Sequence, residues 1–268
     1  ASAPYATACC AHSRPSDSSD QAVRLWLGVN GVGIDTAFVY GNQRQVAQGI
    51  AAAGKDPSDT FITTKVPCGS VGSARADIAS NLQQLGVSRV DLLLIHFPCK
   101  EPTGNAATWM ALEEAFEAGQ ARAIGVSNFN RTEVERLRRT ARHWPPAVNQ
   151  ASMSIGFHLD AEIAYATMHN MTYMAYSPLC GGPNGSSCRH GSVMTLPSVQ
   201  AAATRHAVSP AQVALKWLVQ ERHPLACASW SAQYMREDLN LWEWGDLTDA
   251  EMRALDVQRP RASSRAAA

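Results

Sequence analysis

Four ionisable side chains lie where apolar runs of the sequence end, and together they could form a site for proton transfer. Asp35 and Tyr40 follow one short apolar run, while Lys65 and His96 each close a later run. A tyrosine hydroxyl is a weak acid at neutral pH unless a nearby cation stabilises its phenolate. A lysine held by a buried carboxylate supplies such a cation. These residue types indicate Tyr40 as a candidate general acid, with His96 as a hydrogen-bond donor beside it.

Each of the four residues also has an ordinary structural explanation. A tyrosine after a strand often packs half-buried, and a lysine at a strand end usually reaches solvent along its apolar stem. An aspartate after an apolar run often closes a turn, and a histidine there is often a satisfied core residue. All four stand at the ends of successive predicted strands, however, and in a parallel barrel those ends share one face. Their combination therefore favours catalysis.

Helix-like and strand-like segments alternate along the chain, a pattern that predicts parallel strands joined by helical crossovers. Besides a short strand ending at Asp35, the predicted strands cover residues 7–10, 60–66, 90–96, 121–126, 147–150, 172–177 and 225–229. The predicted helices cover residues 20–28, 43–53, 73–85, 106–118, 132–142, 161–169, 209–220 and 248–255. Eight such units favour a (β/α)8 TIM barrel over a doubly wound sheet, and no G-x-G-x-x-G fingerprint links a strand to a helix.

The length and composition fit this α/β architecture. With 268 residues the chain could form two small domains or one barrel, and we predict a single barrel domain over residues 1–268. Lys+Arg and Asp+Glu both number 23, so no bulk charge attracts nucleic acid or anionic lipid. No apolar run is long enough to span a bilayer, and the first residues do not resemble a signal peptide.

The seven cysteines form no recognisable framework. Their odd number and irregular spacing predict reduced thiols in a cytoplasmic protein. Cys180, Cys188 and His190 lie near one another, but they lack the paired spacing of a structural zinc site, and we predict no metal site.

Three segments resemble the core motifs of the aldo-keto reductase superfamily: residues 33–42, the strand that ends at Lys65, and Asp91–Pro98. The resemblance continues through Gly125–Phe129, Val148–Gln150 and Ala175–Leu179, and it runs from roughly residue 22 to residue 256. Each motif alone is weak evidence for the resemblance, but the whole set in this order is specific to the superfamily. The resemblance implies a TIM-barrel oxidoreductase that reduces an aldehyde or ketone, or catalyses the reverse, with a nicotinamide cofactor.

The same resemblance implies positions for the nicotinamide end of that cofactor. Ser127, Asn128 and Gln150 would hold the carboxamide, whose polar edges need both donors and acceptors. Tyr176 would stack on the nicotinamide ring. Ser177 and Leu179 would line the pyrophosphate. The expected cofactor-binding residues also include Asp35, Ser229, Glu237 and Asp238.

The adenosine end departs from the family pattern. Many members follow the last strand with a lysine and, six residues later, an arginine that grip the 2′-phosphate of NADPH; here Ala228 and Tyr234 stand at those positions. Charge-assisted hydrogen bonds of this kind contribute about 1.5–3 kcal/mol each. NADPH remains the cofactor that the family implies, and NADH becomes a second candidate. Arg236 is predicted to point to another face of its helix.

The sequence predicts less about the residues that bind the substrate. His12, Phe97 and Cys99 are predicted to line the pocket of a small-molecule carbonyl substrate. A Gly/Ser-rich loop over residues 181–187 is predicted to form a mobile flap, and residues 259–268 a short disordered tail. We expect little or no N-terminal hairpin before the first strand. We expect a monomer or a weak oligomer.

Two other functions remain open. The altered phosphate site and substrate pocket would also suit a redox-neutral or specialised-metabolism enzyme that uses the same four residues for acid–base chemistry. A cofactor-sensing regulatory subunit, resembling the potassium-channel β subunits, is the third alternative. The complete set of four residues favours catalysis, although a fold alone does not settle function.

Overall fold

A closed barrel of eight parallel strands forms the centre of the molecule. The computed structural model of the chain describes residues 7–10, 19–180 and 192–256. The strands are β1 (Thr7–Cys10), β2 (Gly33–Asp35), β3 (Phe61–Val66), β4 (Val90–Ile95), β5 (Ala121–Ser127), β6 (Val148–Ser152), β7 (Thr172–Tyr176) and β8 (Leu225–Cys227). Their order in the sheet follows the sequence, and β1 pairs with β8. The (β/α)8 prediction is confirmed.

Helices surround this barrel. They are α1 (Ser19–Gly28), α2 (Gln43–Ala52), α3 (Val71–Leu85), α4 (Pro102–Glu117), α5 (Arg131–Arg138), α6 (Asp160–Met168), α7 (Pro197–His206), α8 (Pro210–Gln220), α9 (Ala232–Leu239) and α10 (Asp249–Leu255). The predicted helices match observed ones to within a few residues. The largest boundary errors are four residues: α4 begins early, at Pro102, which occupies its first turn, and α5 ends early, at Arg138. The predicted helix ranges omitted α9 and also α7, whose alanine run has little apolar periodicity.

Local capping explains where several helices begin. Ser209 and Gln212 form a capping box at the start of α8, and Thr248 and Glu251 form another at α10. Each box satisfies backbone N–H groups that the first helical turn leaves without partners. Thr248, with Glu251 three residues on, is recognisable in the sequence itself as a capping signature.

The main hydrophobic core lies between the barrel and the helices. It joins strand residues such as Ile34 and Leu93 to large side chains on the helices, among them Trp26 and Trp217. The Trp26 indole also donates a hydrogen bond of 2.8 Å to the carbonyl oxygen of Gly33. This packing ties α1 to β2 and fixes the strand ends that carry the predicted site.

The cysteines do not follow the prediction. Cys68 and Cys99 form a disulfide, with a Cα–Cα distance of 5.3 Å, and Cys180 is disulfide-bonded as well. The prediction of reduced thiols is therefore wrong for these three, whereas Cys227 keeps a buried thiol. Sequence spacing gave no hint of the pair because the loops after two adjacent strands bring together residues 31 positions apart. The cytoplasmic location stays a prediction, now without the argument from thiols.

Some predictions fall outside the described residues. These are the N-terminal hairpin, His12, the flap over 181–187, the Cys188 and His190 positions and the tail over 259–268. Within the ranges that the structure describes, no three His, Cys, Asp or Glu side chains come together as metal ligands. Over the same ranges, no helix combines the length and apolarity needed to cross a bilayer.

Candidate active site

One cavity at the C-terminal ends of the strands brings together the four predicted catalytic residues. Its volume is about 320 Å³. It is lined by Asp35, Val39, Tyr40, Lys65, His96, Phe97, Ser127, Asn128, Gln150 and Tyr176. Of these ten residues, only Val39 was absent from the predicted site. It belongs to the short 3-10 turn before Tyr40, and its isolated apolar side chain gave no signal in the sequence.

A buried ion pair forms the floor of this cavity. The ammonium group of Lys65 donates to Asp35 Oδ1 and, over 3.1 Å, to the carbonyl oxygen of Thr36. The other oxygen of Asp35 accepts a 2.7 Å hydrogen bond from Gln150 Nε2. Lys65 and Asp35 are only 2% and 1% exposed, so water does not screen their attraction. Both charged groups are therefore held in one position.

A tight turn places Tyr40 beside this pair. Residues Phe38–Tyr40 form one turn of 3-10 helix, which ends where Gly41 adopts a left-handed conformation with φ of 65°. Glycine adopts that conformation without steric cost. The Lys65 ammonium lies 5.4 Å from the centre of the Tyr40 ring, within range of a cation–π contact. Tyr40 therefore sits close to a fixed positive charge.

His96 immediately follows β4 and also contacts Tyr40. Its ring meets the Tyr40 ring edge to face, with 5.5 Å between centroids. The Phe97 ring stacks on the other face of His96 at 4.8 Å. His96 is 8% exposed, whereas Phe97 is 53% exposed. Phe97 thus forms an outer apolar wall that covers His96 and lines the cavity.

A polar network runs along the β5–β7 side of the cavity. Tyr176 donates through its hydroxyl to Asn128 Oδ1 over 2.8 Å. The amide of Asn128 donates to Ser127 Oγ and to the His96 carbonyl oxygen, both over 3.0 Å. Ser127 Oγ in turn donates to the Gln150 carbonyl oxygen over 2.8 Å. Burial raises the pKa of Tyr176, so the hydroxyl stays protonated as the donor.

A second buried network supports Lys65 from behind, and the sequence did not point to it. Thr64 Oγ1 donates to Gln43 Oε1 over 2.8 Å, and the Gln43 amide donates to Asn81. The Asn81 amide then donates to the Lys65 carbonyl oxygen over 3.3 Å. The available signal was that Gln43 and Asn81 fall on the buried faces of α2 and α3. A buried amide needs partners, and here the partners belong to the strand that carries Lys65.

The residues predicted for the rest of the cofactor do not line the 320 Å³ cavity. Ser177 has a left-handed backbone, with φ of 53°, and Leu179 packs against the main core. Ser229 bonds within its own loop, and Glu237 accepts a hydrogen bond from Gln233 on the same helix. Cys99, predicted for the substrate pocket, also lies outside the lining because its sulfur is bonded to Cys68.

The surface at the start of α9 carries an alanine and a tyrosine where the family pattern has cations. Tyr234 is 60% exposed and Trp230 is 40% exposed, while Ala228 is also at the surface. Arg236 instead lines a separate groove of about 360 Å³, together with Arg24. This position agrees with the expectation that Arg236 points to another face. Neither Ala228 nor Tyr234 supplies a charge for a 2′-phosphate.

The nicotinamide end and the adenosine end of a dinucleotide cofactor therefore fit this chain differently. The polar atoms of Ser127, Asn128 and Gln150 offer donors and acceptors next to the catalytic residues, as a carboxamide requires. The Tyr176 ring borders the same cavity. These residues fit a nicotinamide ring, whereas the positions at α9 fit an adenosine without a 2′-phosphate better than one that carries it.

Asp238, the last of the predicted adenine contacts, is buried. It is 5% exposed, and Cys227 Sγ lies 3.5 Å from its Oδ2. Burial raises the pKa of this carboxyl from 3.8 to about 6, against a smaller lowering by the Cys227 contact. The folded state therefore binds the proton more tightly than the unfolded state. The contribution of the Asp238 carboxyl to the free energy of unfolding is fully present below about pH 4 and is lost as the pH rises through about 6.

We expect Asp238→Asn to raise Tm more at pH 8 than at pH 5. The amide cannot ionise, so it removes an unfavourable buried charge worth about 2–3 kcal/mol above pH 7. Thermal unfolding of both proteins at the two pH values measures the difference. An equal shift at both values would contradict the assignment. A parallel titration with NADH tests the alternative role, because an adenine contact would weaken binding when replaced.

Comparison with known proteins agrees with the geometry of this site. The profile of the Aldo/keto reductase family matches residues 12–258. The chain is 32% identical over 225 residues to 9,11-endoperoxide prostaglandin H2 reductase of Trypanosoma cruzi, covering 83% of this chain and 76% of that protein. It is 34% identical over 229 residues to Morphine 6-dehydrogenase of Pseudomonas putida, covering 83% and 77%. An aldo/keto reductase structure from Brucella melitensis matches with a TM-score of 0.85 at 27% identity, covering 93% of each chain. The chain belongs to the aldo/keto reductase family.

Proposed function

We propose that this oxidoreductase transfers a hydride between a nicotinamide cofactor and an aldehyde or ketone, with Tyr40 as the general acid during reduction. The observation that carries the proposal is the meeting of Tyr40, the Lys65–Asp35 pair and His96 in one cavity. The direct test is the purified protein with reduced cofactor and a panel of aldehydes and ketones, followed by loss of nicotinamide absorbance. Absence of alcohol product across the panel would count against reduction.

Each of the four residues has a separate role in protonating the substrate. A nicotinamide cofactor, when bound, would supply the hydride for the carbonyl carbon. His96 donates a hydrogen bond that orients the carbonyl oxygen, and Tyr40 gives that oxygen its proton. The Lys65 ammonium, 5.4 Å from the Tyr40 ring centre, stabilises the phenolate that remains. Asp35 keeps the ammonium in place, and Phe97 shields the reacting atoms from water.

The β5–β7 network has the donors and acceptors to hold the nicotinamide carboxamide. Asn128 and Gln150 carry both kinds of group, and Ser127 Oγ lies between them. The ring of Tyr176, fixed by its hydrogen bond to Asn128, provides a flat face for stacking. Because these side chains already bond to one another, the site is ordered before the cofactor arrives.

We expect the wild-type protein to bind NADH at least as tightly as NADPH. Ala228→Lys with Tyr234→Arg should tighten NADPH binding by about tenfold or more, since each new cation forms a charge-assisted contact with the 2′-phosphate. The dissociation constant of NADH should hardly change, which makes NADH the internal control. Fluorescence titration with both cofactors measures these values. Tighter NADPH binding by the wild type would mean that another cation holds the phosphate.

A redox-neutral reaction is the second candidate, and the exposed Ala228 and Tyr234 favour it. Weak binding of the 2′-phosphate is compatible with an enzyme that uses Tyr40 and Lys65 for acid–base chemistry and does not oxidise or reduce its cofactor. The two candidates differ in one measurement. Product formation with unchanged nicotinamide absorbance would support the redox-neutral reaction, whereas stoichiometric loss of that absorbance would support carbonyl reduction.

A further inference from the structure

A disulfide joins the two loops that leave the catalytic strands β3 and β4. Cys68 lies three residues beyond Lys65, and Cys99 lies three residues beyond His96. The strands pair side by side, with Val66 opposite Ile95. The bridge therefore continues the contact between them past the point where backbone pairing ends, on the face of the barrel that carries the cavity.

Helix α4 packs against this bridge and joins it to the loops. The Cys99 N–H donates to Asn105 Oδ1 over 2.7 Å, and the Gly69 N–H donates to Thr108 Oγ1 over 2.9 Å. Asn105 and Thr108 are both buried. A side-chain Cβ added at Gly104 would clash with Cys99 Sγ and lie 3.3 Å from Cys68 Sγ. The first turn of α4 therefore packs directly against the two sulfurs. Three separate segments thus meet at one covalent bond.

Phe97, which forms a wall of the cavity, lies in the loop that the bridge joins to β3. Phe97 stands between His96 and Cys99, and its ring stacks on His96 at 4.8 Å although 53% of the side chain is exposed. An exposed aromatic ring gains little from burial, so its position depends on the backbone on either side. His96 is fixed by its N–H bond of 2.9 Å to the Val66 carbonyl oxygen. Cys99 is fixed by the disulfide and by Asn105.

We infer that the Cys68–Cys99 disulfide is a redox-controlled positioning element that holds Phe97 against His96 and so sets the affinity for the carbonyl substrate. This inference rests on the proposed function. Both cysteines are half-buried rather than enclosed in the core. Two electrons and two protons from a small dithiol break the S–S bond and leave two thiols, while the dithiol becomes a disulfide. Phe97 then loses one of its two anchors.

The first test compares steady-state kinetics of the oxidised protein, the protein reduced with dithiothreitol, and a Cys68→Ser/Cys99→Ser variant. We expect the reduced protein and the variant to share a KM for the carbonyl substrate about three- to tenfold higher than that of the oxidised protein, because one more side chain must be ordered on binding. The kcat and the cofactor dissociation constant should change less than twofold. A variant with the KM of the oxidised protein would overturn the inference.

Two further variants separate this effect from general loosening. Phe97→Ala should abolish the response of KM to dithiothreitol, because the bridge acts through that ring. Cys180→Ser, which removes another disulfide-bonded cysteine, should keep the response. A response that survives in Phe97→Ala, or disappears in Cys180→Ser, would contradict the inference.

A readout without turnover distinguishes failure of the inference from failure of the proposed function. Amide hydrogen exchange over residues 96–105 should become faster on reduction, whereas exchange in β6 and β7 should stay the same. Unchanged exchange over 96–105 would overturn the inference even in an active reductase. Faster exchange in a protein that reduces no carbonyl would leave the positioning role intact and count against the proposed function alone.

Discussion

Tyr40→Phe should lower kcat for carbonyl reduction by about 10²–10⁴-fold, the usual contribution of a positioned general acid. The phenyl ring keeps the edge contact with His96 and the position over Lys65. Only the hydroxyl is lost, so the shape of the cavity and the residues proposed to hold the carboxamide remain. We therefore expect the dissociation constant of NADH to stay within about twofold of the wild-type value. Steady-state kinetics and fluorescence titration of the same preparation measure both quantities.

Tyr165→Phe is the matched control for this experiment. Tyr165 lies on α6, away from the cavity, and its hydroxyl donates to Glu135 over 2.7 Å. Its removal takes away a hydroxyl of the same kind without touching the proposed chemistry, so kcat should be unchanged. A kcat of the Tyr40→Phe variant equal to that of the wild type would contradict the assignment of Tyr40 as the general acid. A large loss in both variants would instead indicate a general effect on folding.

The residues proposed to be catalytic could be located from the sequence because strands that follow one another in the chain are neighbours in the barrel. Asp35 ends β2, Lys65 is the last residue but one of β3, and His96 directly follows β4. Parallel neighbours bring these C-terminal ends to one rim of the barrel. A strand end is visible in a sequence as the point where an apolar run stops. No long-range information is needed to place three such ends together once eight repeating units have been recognised.

Contacts between side chains from different elements could not be predicted in the same way. The buried amides of Gln43 and Asn81 look like ordinary helix residues until α2 and α3 are packed together behind β3. Cys68 and Cys99 look like unrelated thiols until their loops are adjacent. The sequence gives the type of each group, while the partner of each group depends on packing that no local pattern encodes.

The two halves of the proposed site share one carboxylate. Asp35 bonds through one oxygen to Lys65, which faces Tyr40, and through the other to Gln150, which is proposed to contact the carboxamide. A change at Asp35 should therefore disturb both proton transfer and cofactor binding, whereas a change at Tyr40 should affect only the first. This difference gives a way to separate the two functions by mutation.

Lys65→Met should be the most destabilising single change in the site. It removes one partner of an ion pair whose members are 2% and 1% exposed, and leaves the Asp35 carboxylate buried beside Gln150 alone. Breaking a buried pair in this way costs about 3–5 kcal/mol. In a chain of this size the loss corresponds to a decrease in Tm of about 10 °C. Thermal unfolding measures it directly.

The double variant Lys65→Met/Asp35→Asn should recover much of this loss, because asparagine carries no charge and can still accept from Gln150. Activity should not return, since the ammonium beside Tyr40 is still missing. Arg75→Met is the control: it breaks an exposed pair with Glu114, in which the two side chains are 58% and 34% exposed, and should leave Tm nearly unchanged. If the double variant is no more stable than Lys65→Met, the unpaired carboxylate is not the cause. If it regains stability without activity, the same ammonium serves both to neutralise Asp35 in the fold and to support Tyr40 in the reaction.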